Sequence, residues 1–116
     1  MENINQWIGE GNIGTDLILR HTKDSSRPVL NMILFIDSTY KAKKNVSGDY
    51  ALKKRYVKVP LVVWHSKAQQ VYNDFQRNDK IRVKGALRTR LITKGDQTFS
   101  TFEIVVDDII LLARAT

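Results

Sequence analysis

Only one stretch of this chain carries apolar residues at helical spacing, and strand-like patterns lie on both sides of it. Within Ser66 to Gln76, Ala68, Val71, Tyr72 and Phe75 recur three and four apart behind Ser66, a good N-cap, which predicts one helix of about three turns. Tyr72 and Phe75 are expected in the core. Three strand segments precede the helix. Asn3 to Leu19 is apolar but interrupted by Gly9, Gly11 and Gly14, and glycine inside a strand marks a bulge or sharp bend. After the turn His21 to Pro28, the run Val29 to Ile36 is apolar almost throughout, which implies burial on much of both sides. Tyr40 to Tyr50 is expected to be a polar, basic loop with Gly48-Asp49 at its tip. Arg55 to His65 is the third strand, with Pro60 limiting it to an edge or a bulge. If Val59, Leu61, Val63 and His65 share its outer face, alternation places Val62 and Trp64 in the core. Asn78-Asp79 ends the helix, Asn78 to Ile92 is the fourth strand, and Lys94-Gly95-Asp96 turns it into the fifth, Thr98 to Leu112.

Five strands with a single helix between the third and fourth, and glycine bends in the first, describe an all-β OB-fold, a small five-stranded Greek-key barrel. A ferredoxin-like domain would need two helices and an SH3-like barrel none. The 116 residues fit one domain, 1–116, with no repeat or linker.

Charge is unevenly distributed. The net charge is +7, from 19 Lys/Arg against 12 Asp/Glu. Lys41, Lys43, Lys44, Lys53, Lys54, Arg55 and Lys58 fall in one window, and Lys80, Arg82, Lys84, Arg88, Arg90 and Lys94 in another. Asp49 is the only carboxylate in either. In the second window the cations at 80, 82 and 84, and again at 88 and 90, share one strand face, while Ile81 and Val83 point the other way. A row of like charges repels itself, so a polyanion across the face gives it a purpose that folding does not. A solvated strand face is the plain alternative.

Catalysis finds no support. The chain has no cysteine, so it has neither disulfides nor thiolate chemistry, and a reducing cytoplasm is its natural home. His21 and His65 are too few and too separated for a metal site. Asp107 and Asp108, adjacent on a strand, should point to opposite faces and cannot act as a pair. No phosphate-cradling glycine loop precedes a helix, so no cofactor is expected. Val105 to Ala113 is broken by Asp107 and Asp108, which leaves no membrane span or signal peptide.

The chain resembles the bacterial single-stranded DNA-binding proteins. Their first strand runs into a Gly-Asn-Leu-Gly bend, an Asp and then an Arg; Gly11, Asn12, Ile13, Gly14, Thr15, Asp16 and Arg20, His21, Thr22 follow that order. Their third strand leads through a Lys into the helix, as Val62, Val63, Trp64, His65, Ser66 and Lys67 do. Their fourth carries Gly-x-Leu-Arg-Thr-Arg, reproduced by Gly85, Ala86, Leu87, Arg88, Thr89 and Arg90. The resemblance implies a non-enzymatic binder of single-stranded DNA with little sequence preference. Such proteins stack bases on exposed aromatics in a cationic groove. The position where the family often has a Trp at the end of the second strand is Tyr40, which keeps a stacking platform. Val59, His65 and Ile92 stand at three other aromatic positions, with Tyr56 nearby as a replacement.

The site residues that follow are Tyr40, Tyr56 and His65 for stacking and Lys53, Lys54, Arg55, Lys58, Lys84, Arg88 and Arg90 for the phosphate backbone. The expected role is DNA replication, recombination or transfer, with single-stranded DNA as partner and no membrane. The family assembles as homodimers or homotetramers, and Ile4, Trp7 and Ile8 would suit that. Trp7 suits burial equally. The family's flexible linker and acidic tip do not follow Thr116, which fits a truncated chain or a tail-less relative from a plasmid, phage or conjugative element. The alternative role is an OB-fold adaptor, a primosome or conjugation component working mainly through protein contacts.

Overall fold

The computed structural model describes residues 3–44 and 50–115, with the side chains of residues 40–53 outside that description. Strands run over Trp7–Ile13 (β1), Ile18–His21 (β2), Pro28–Asp37 (β3), Tyr40–Lys44 (β4), Tyr50–Lys53 (β5) and Tyr56–Trp64 (β6). One helix, His65–Asp74 (α1), follows, and then two long strands, Lys80–Lys94 (β7) and Gln97–Ala113 (β8).

The main sheet has the order β1-β7-β8-β6-β3-β2, and a further pairing of β1 with β3 closes it into a barrel. The expected first strand is therefore β1 and β2 together. β1 lies along β7 and ends on β3 at Asn12↔Phe35 and Ile13↔Leu34; β2 then continues along β3 from Ile18↔Asn31 to His21↔Pro28. The Phe35 ring packs against Gly14 at the bend. A Cβ there would stand 2.3 Å from Phe35 Cδ1, so a larger residue would displace the ring. A short parallel pairing, Leu61↔Ile104 and Val62↔Val105, joins β6 to β8. This is the OB-fold, with its helix between the third and fourth barrel strands.

Inside lie Ile13, Leu30, Met32, Leu34, Leu61, Val63, Ile81, Val83, Ile104 and Val106, closed at one end by Ala68 and Val71 of α1. Each Val, Leu, Ile or Met among them contributes roughly 1.5–3 kcal/mol by leaving water. Ile81 and Val83 point inward as the alternation required.

Several expectations are corrected. Leu61 and Val63 face the core and Trp64 does not, because Leu30↔Val63 and Met32↔Leu61 are cross-strand partners on the inner face. The inward phase of β6 is the reverse of the expected one, although Val62 is buried as expected, at 2% exposed. In the run Leu61-Val62-Val63-Trp64 every residue is apolar, so composition fixes no phase, and a one-residue slip exchanges the faces. Tyr72 is 45% exposed, while Phe75 packs on the core with Ala68 and Val71; the apolar face of α1 is narrower than the spacing suggested. Ser66 is not the cap. Trp64 holds that position without a side-chain hydrogen bond, and His65 makes the turn into the helix with φ 63°, a left-handed conformation uncommon outside glycine. Residues 40–44 and 50–53 are not loop but pair as a separate two-stranded ribbon, and its Gly48-Asp49 tip lies outside the described residues. Asp107 and Asp108 are both exposed, because an extra residue in β8 between the pairs Lys84↔Asp108 and Gly85↔Val106 interrupts the alternation.

Candidate nucleic-acid interface

The outside of the barrel carries a concave surface. A groove of about 680 Å³ runs there between β2 with its following turn (Arg20, His21, Thr22, Lys23), β3 (Val29, Asn31), β6 (Val62, Trp64), β7 (Arg88, Thr89, Arg90) and β8 (Glu103). Four cations therefore surround one carboxylate, with an indole in the wall.

Arg88 and Glu103 are cross-strand partners. Arg88 donates from Nε (3.2 Å) and Nη2 (2.6 Å) to Glu103 Oε1, and the Glu103 side chain is only 6% exposed. The guanidinium carbon lies 5.9 Å from the centroid of the Trp64 ring, within cation–π range. Arg88 thus stands in a fixed orientation, half exposed, beside a half-buried indole. Arg90, two residues on, is exposed on the same face of the strand.

From Trp64 the outer face of β6 continues through Val62, Pro60 and Lys58 to Tyr56. At its far end Tyr56 lies 6.4 Å from Phe35, ring centre to ring centre, and Lys58 Nζ sits 5.5 Å from the Phe35 centroid. Nearby, the end of β3 is fixed by Thr39, whose hydroxyl (2.5 Å) and N–H (2.9 Å) both donate to Asp37. That hydroxyl bond, then the N–H bond and the charge of Lys54, hold the Asp37 carboxyl below the usual range. The hairpin of β7 and β8 extends the same face at the other end. Its turn is Gly95-Asp96, with Gly95 at φ 60°, as a two-residue type II′ turn requires. Counting back from that turn, Phe99 faces Ile92 and is 49% exposed.

The expected site residues divide accordingly. Arg88 and Arg90 line the groove; Tyr56 and Lys58 share the outer face of β6. Lys54 and Arg55 are exposed in the link between β5 and β6, where the Arg55 carbonyl accepts from Ser38 N–H at 2.7 Å. His65 lies at the edge, in a smaller hollow with Trp64, Lys67 and Asp107. Lys84 belongs to the other half of β7, opposite Asp108 and Ile8, where Arg82 pairs with Glu10 at 2.5 Å. The strand's cationic row is therefore two surfaces: Arg82 lies beside Glu10 of β1 and Lys84 beside Asp108 of β8, while Arg88 and Arg90 face the groove. The side chains of Tyr40 and Lys53 lie outside the described residues; their backbones pair across the ribbon.

Trp64, Phe35, Phe99, Arg20 and Lys23 were not among the expected residues. Phe99 was recoverable by counting pairs outward from the turn. Trp64 was hidden by the reversed alternation in β6, and Phe35 by the apolar run around it. Among the described residues no group of three or more His, Cys, Asp or Glu could hold a metal ion, and no helix is long and apolar enough to cross a membrane.

A closed five-stranded barrel with its helix in this place, and a basic groove with aromatic rings across its outer face, defines an OB-fold with the features of a nucleic-acid-binding surface. The chain belongs to the single-strand binding protein family, whose model matches residues 4–112. No curated protein sequence matches it. Among solved structures it is similar in fold to the Plasmodium falciparum SSB in its complex with ssDNA, with a TM-score of 0.78, 17% identity and 97% of each chain covered.

Proposed function

We propose that this protein binds single-stranded DNA with little sequence preference, catalyses no reaction, and serves DNA replication, recombination or transfer in the cytoplasm. The observation that carries the reading is the groove, in which Arg20, Lys23, Arg88 and Arg90 surround the half-buried ring of Trp64. Arg20, Lys23 and Arg90 there release counterions from a phosphate backbone, and a base stacked on an exposed ring gains roughly 1–3 kcal/mol without regard to its identity. From Trp64 the strand follows the outer face of β6 for about 26 Å to Tyr56 and Phe35, given a rise near 3.3 Å per residue. Phe99 extends the track on the hairpin side. Membership of the single-strand binding family and the fold shared with an SSB that was solved with ssDNA support this. With Lys67 as its single Lys or Arg, α1 is a poor recognition helix for duplex DNA.

The protein works as a homodimer or homotetramer. Exposed Ile4 ahead of β1, Ile8 on β1, and Ile110 and Leu112 on β8 offer apolar surface for it.

The test is competition. Labelled oligo-dT bound at low salt should be displaced by unlabelled oligo-dT and by mixed-sequence single strands alike, and far less by duplex of the same length. Failure to bind oligo-dT at low salt would contradict the reading and favour an adaptor role.

A further inference from the structure

Resting on the proposed binding of single-stranded DNA, the geometry around Glu103 points to a division of labour among the groove's cations: we propose that Glu103 is a positioning residue that withholds Arg88 from the phosphates and holds its guanidinium beside Trp64 as a surface for bases. Three observations carry this. Glu103 is the one nearly buried carboxylate in the groove wall, and it places a full negative charge 2.6 Å from Arg88 Nη2. Its Oε1 accepts from both Nε and Nη2, which fixes the plane of the guanidinium and not merely its distance. The guanidinium carbon stands 5.9 Å from the Trp64 ring centre, which sets the two flat groups side by side in the groove wall. An arginine whose charge is already matched displaces few counterions when a phosphate approaches. Its remaining N–H groups and its flat face are still free to meet a base. Arg90, Arg20 and Lys23, which line the same groove, have no carboxylate at salt-bridge distance among the described residues and are left for the backbone.

The salt dependence of binding separates the two roles, because each cation that neutralises a phosphate of a single strand adds about 0.7 to the slope of log affinity against log salt. Four proteins are compared: the unmodified chain, Arg90→Gln, Glu103→Gln, and the double variant Arg88→Gln with Glu103→Gln, which removes the pair without changing net charge. Each is titrated with oligo-dT and with an abasic oligonucleotide of equal length. Arg90→Gln should lower the slope by about 0.7. The double variant should keep the slope and lose roughly fivefold in affinity for oligo-dT, but lose nothing for the abasic strand. Glu103→Gln, which retains an acceptor oxygen but not the charge, should steepen the slope by about 0.7 as Arg88 turns to phosphate. A purely structural Glu103 would not steepen it. Arg88→Lys, which leaves Glu103 paired, serves as a second variant should the glutamine substitutions fail to fold, and it too should weaken oligo-dT binding and spare the abasic strand. A slope that falls in the double variant, stays flat in Glu103→Gln, or an equal loss on both oligonucleotides, overturns the assignment while leaving single-strand binding intact. No binding of either oligonucleotide by the unmodified chain overturns both.

Discussion

Two ion pairs in this molecule look alike and should behave differently. Asp79 is fully buried, and its carboxylate accepts from Gln76 N–H (2.9 Å), Ala115 N–H (2.8 Å) and Arg114 Nη1 (2.9 Å). It thereby ties the end of α1 and the start of β7 to the segment after β8, and Arg114 also donates to the Asp74 carbonyl. Truncating Asp79 would strand two backbone N–H groups, so Asp79→Ala should destabilise by about 2–4 kcal/mol, read from urea unfolding. Arg82 and Glu10 are nearly half exposed, and Arg82→Ala should change stability by less than about 1 kcal/mol. The sequence shows Asp79 only as a helix-ending residue. Nothing in its neighbours reveals that residue 115 returns to it.

At the scale of elements, β7 and β8 carry most of the design. Gly85 sits where β7 passes the interruption in β8, and a Cβ there would stand 2.2 Å from the Val105 carbonyl oxygen. That neighbour is backbone and cannot swing aside. Gly85→Ala should therefore cost about 1–3 kcal/mol in thermal or urea unfolding, more than a helix-surface change of equal size. Beyond this point the hairpin stands clear of the core, and Phe99 is half exposed. Phe99→Ala should accordingly leave the unfolding midpoint nearly unchanged and weaken oligo-dT binding by about 1–3 kcal/mol. Strand existence and the single helix were legible from period and punctuation, since Ile81 and Val83 alternate cleanly with cations and Gly95 marks the turn. The phase of β6 was not, because a run of four apolar residues has no polar partner to declare which side is wet. The ribbon of β4 and β5 was missed for a related reason: its lysines read as loop, and two strands paired only to each other bury little.

For the molecule as a whole, the barrel's closure was readable from element order, and the groove was readable only in part. Arg88 and Arg90 were found because they stand in a cationic row with no nearby carboxylate in sequence. Glu103, fifteen residues away, enters the site through strand pairing alone. The separation of β7 into a half facing β1 and a half facing the groove is likewise a property of the closed sheet. In the proposed site, aromatics expected from position in the family give way to rings that the fold brings in from elsewhere: Trp64 from β6, Phe35 from β3 and Phe99 from β8. The proposed binding surface is thus assembled from five strands and a turn, and no single segment contains it.

The most direct measurement is the intrinsic tryptophan fluorescence of the unmodified chain and of Trp64→Phe, titrated with oligo-dT across a salt series. Trp7 packs against the core with its ring over Gly9, so a quench on binding reports Trp64. The expected result is a quench that saturates with oligo-dT, weakens steeply as salt rises, and disappears in Trp64→Phe while binding persists with lower affinity. Binding without any change at Trp64, or a quench as large with duplex as with a single strand, would contradict the account.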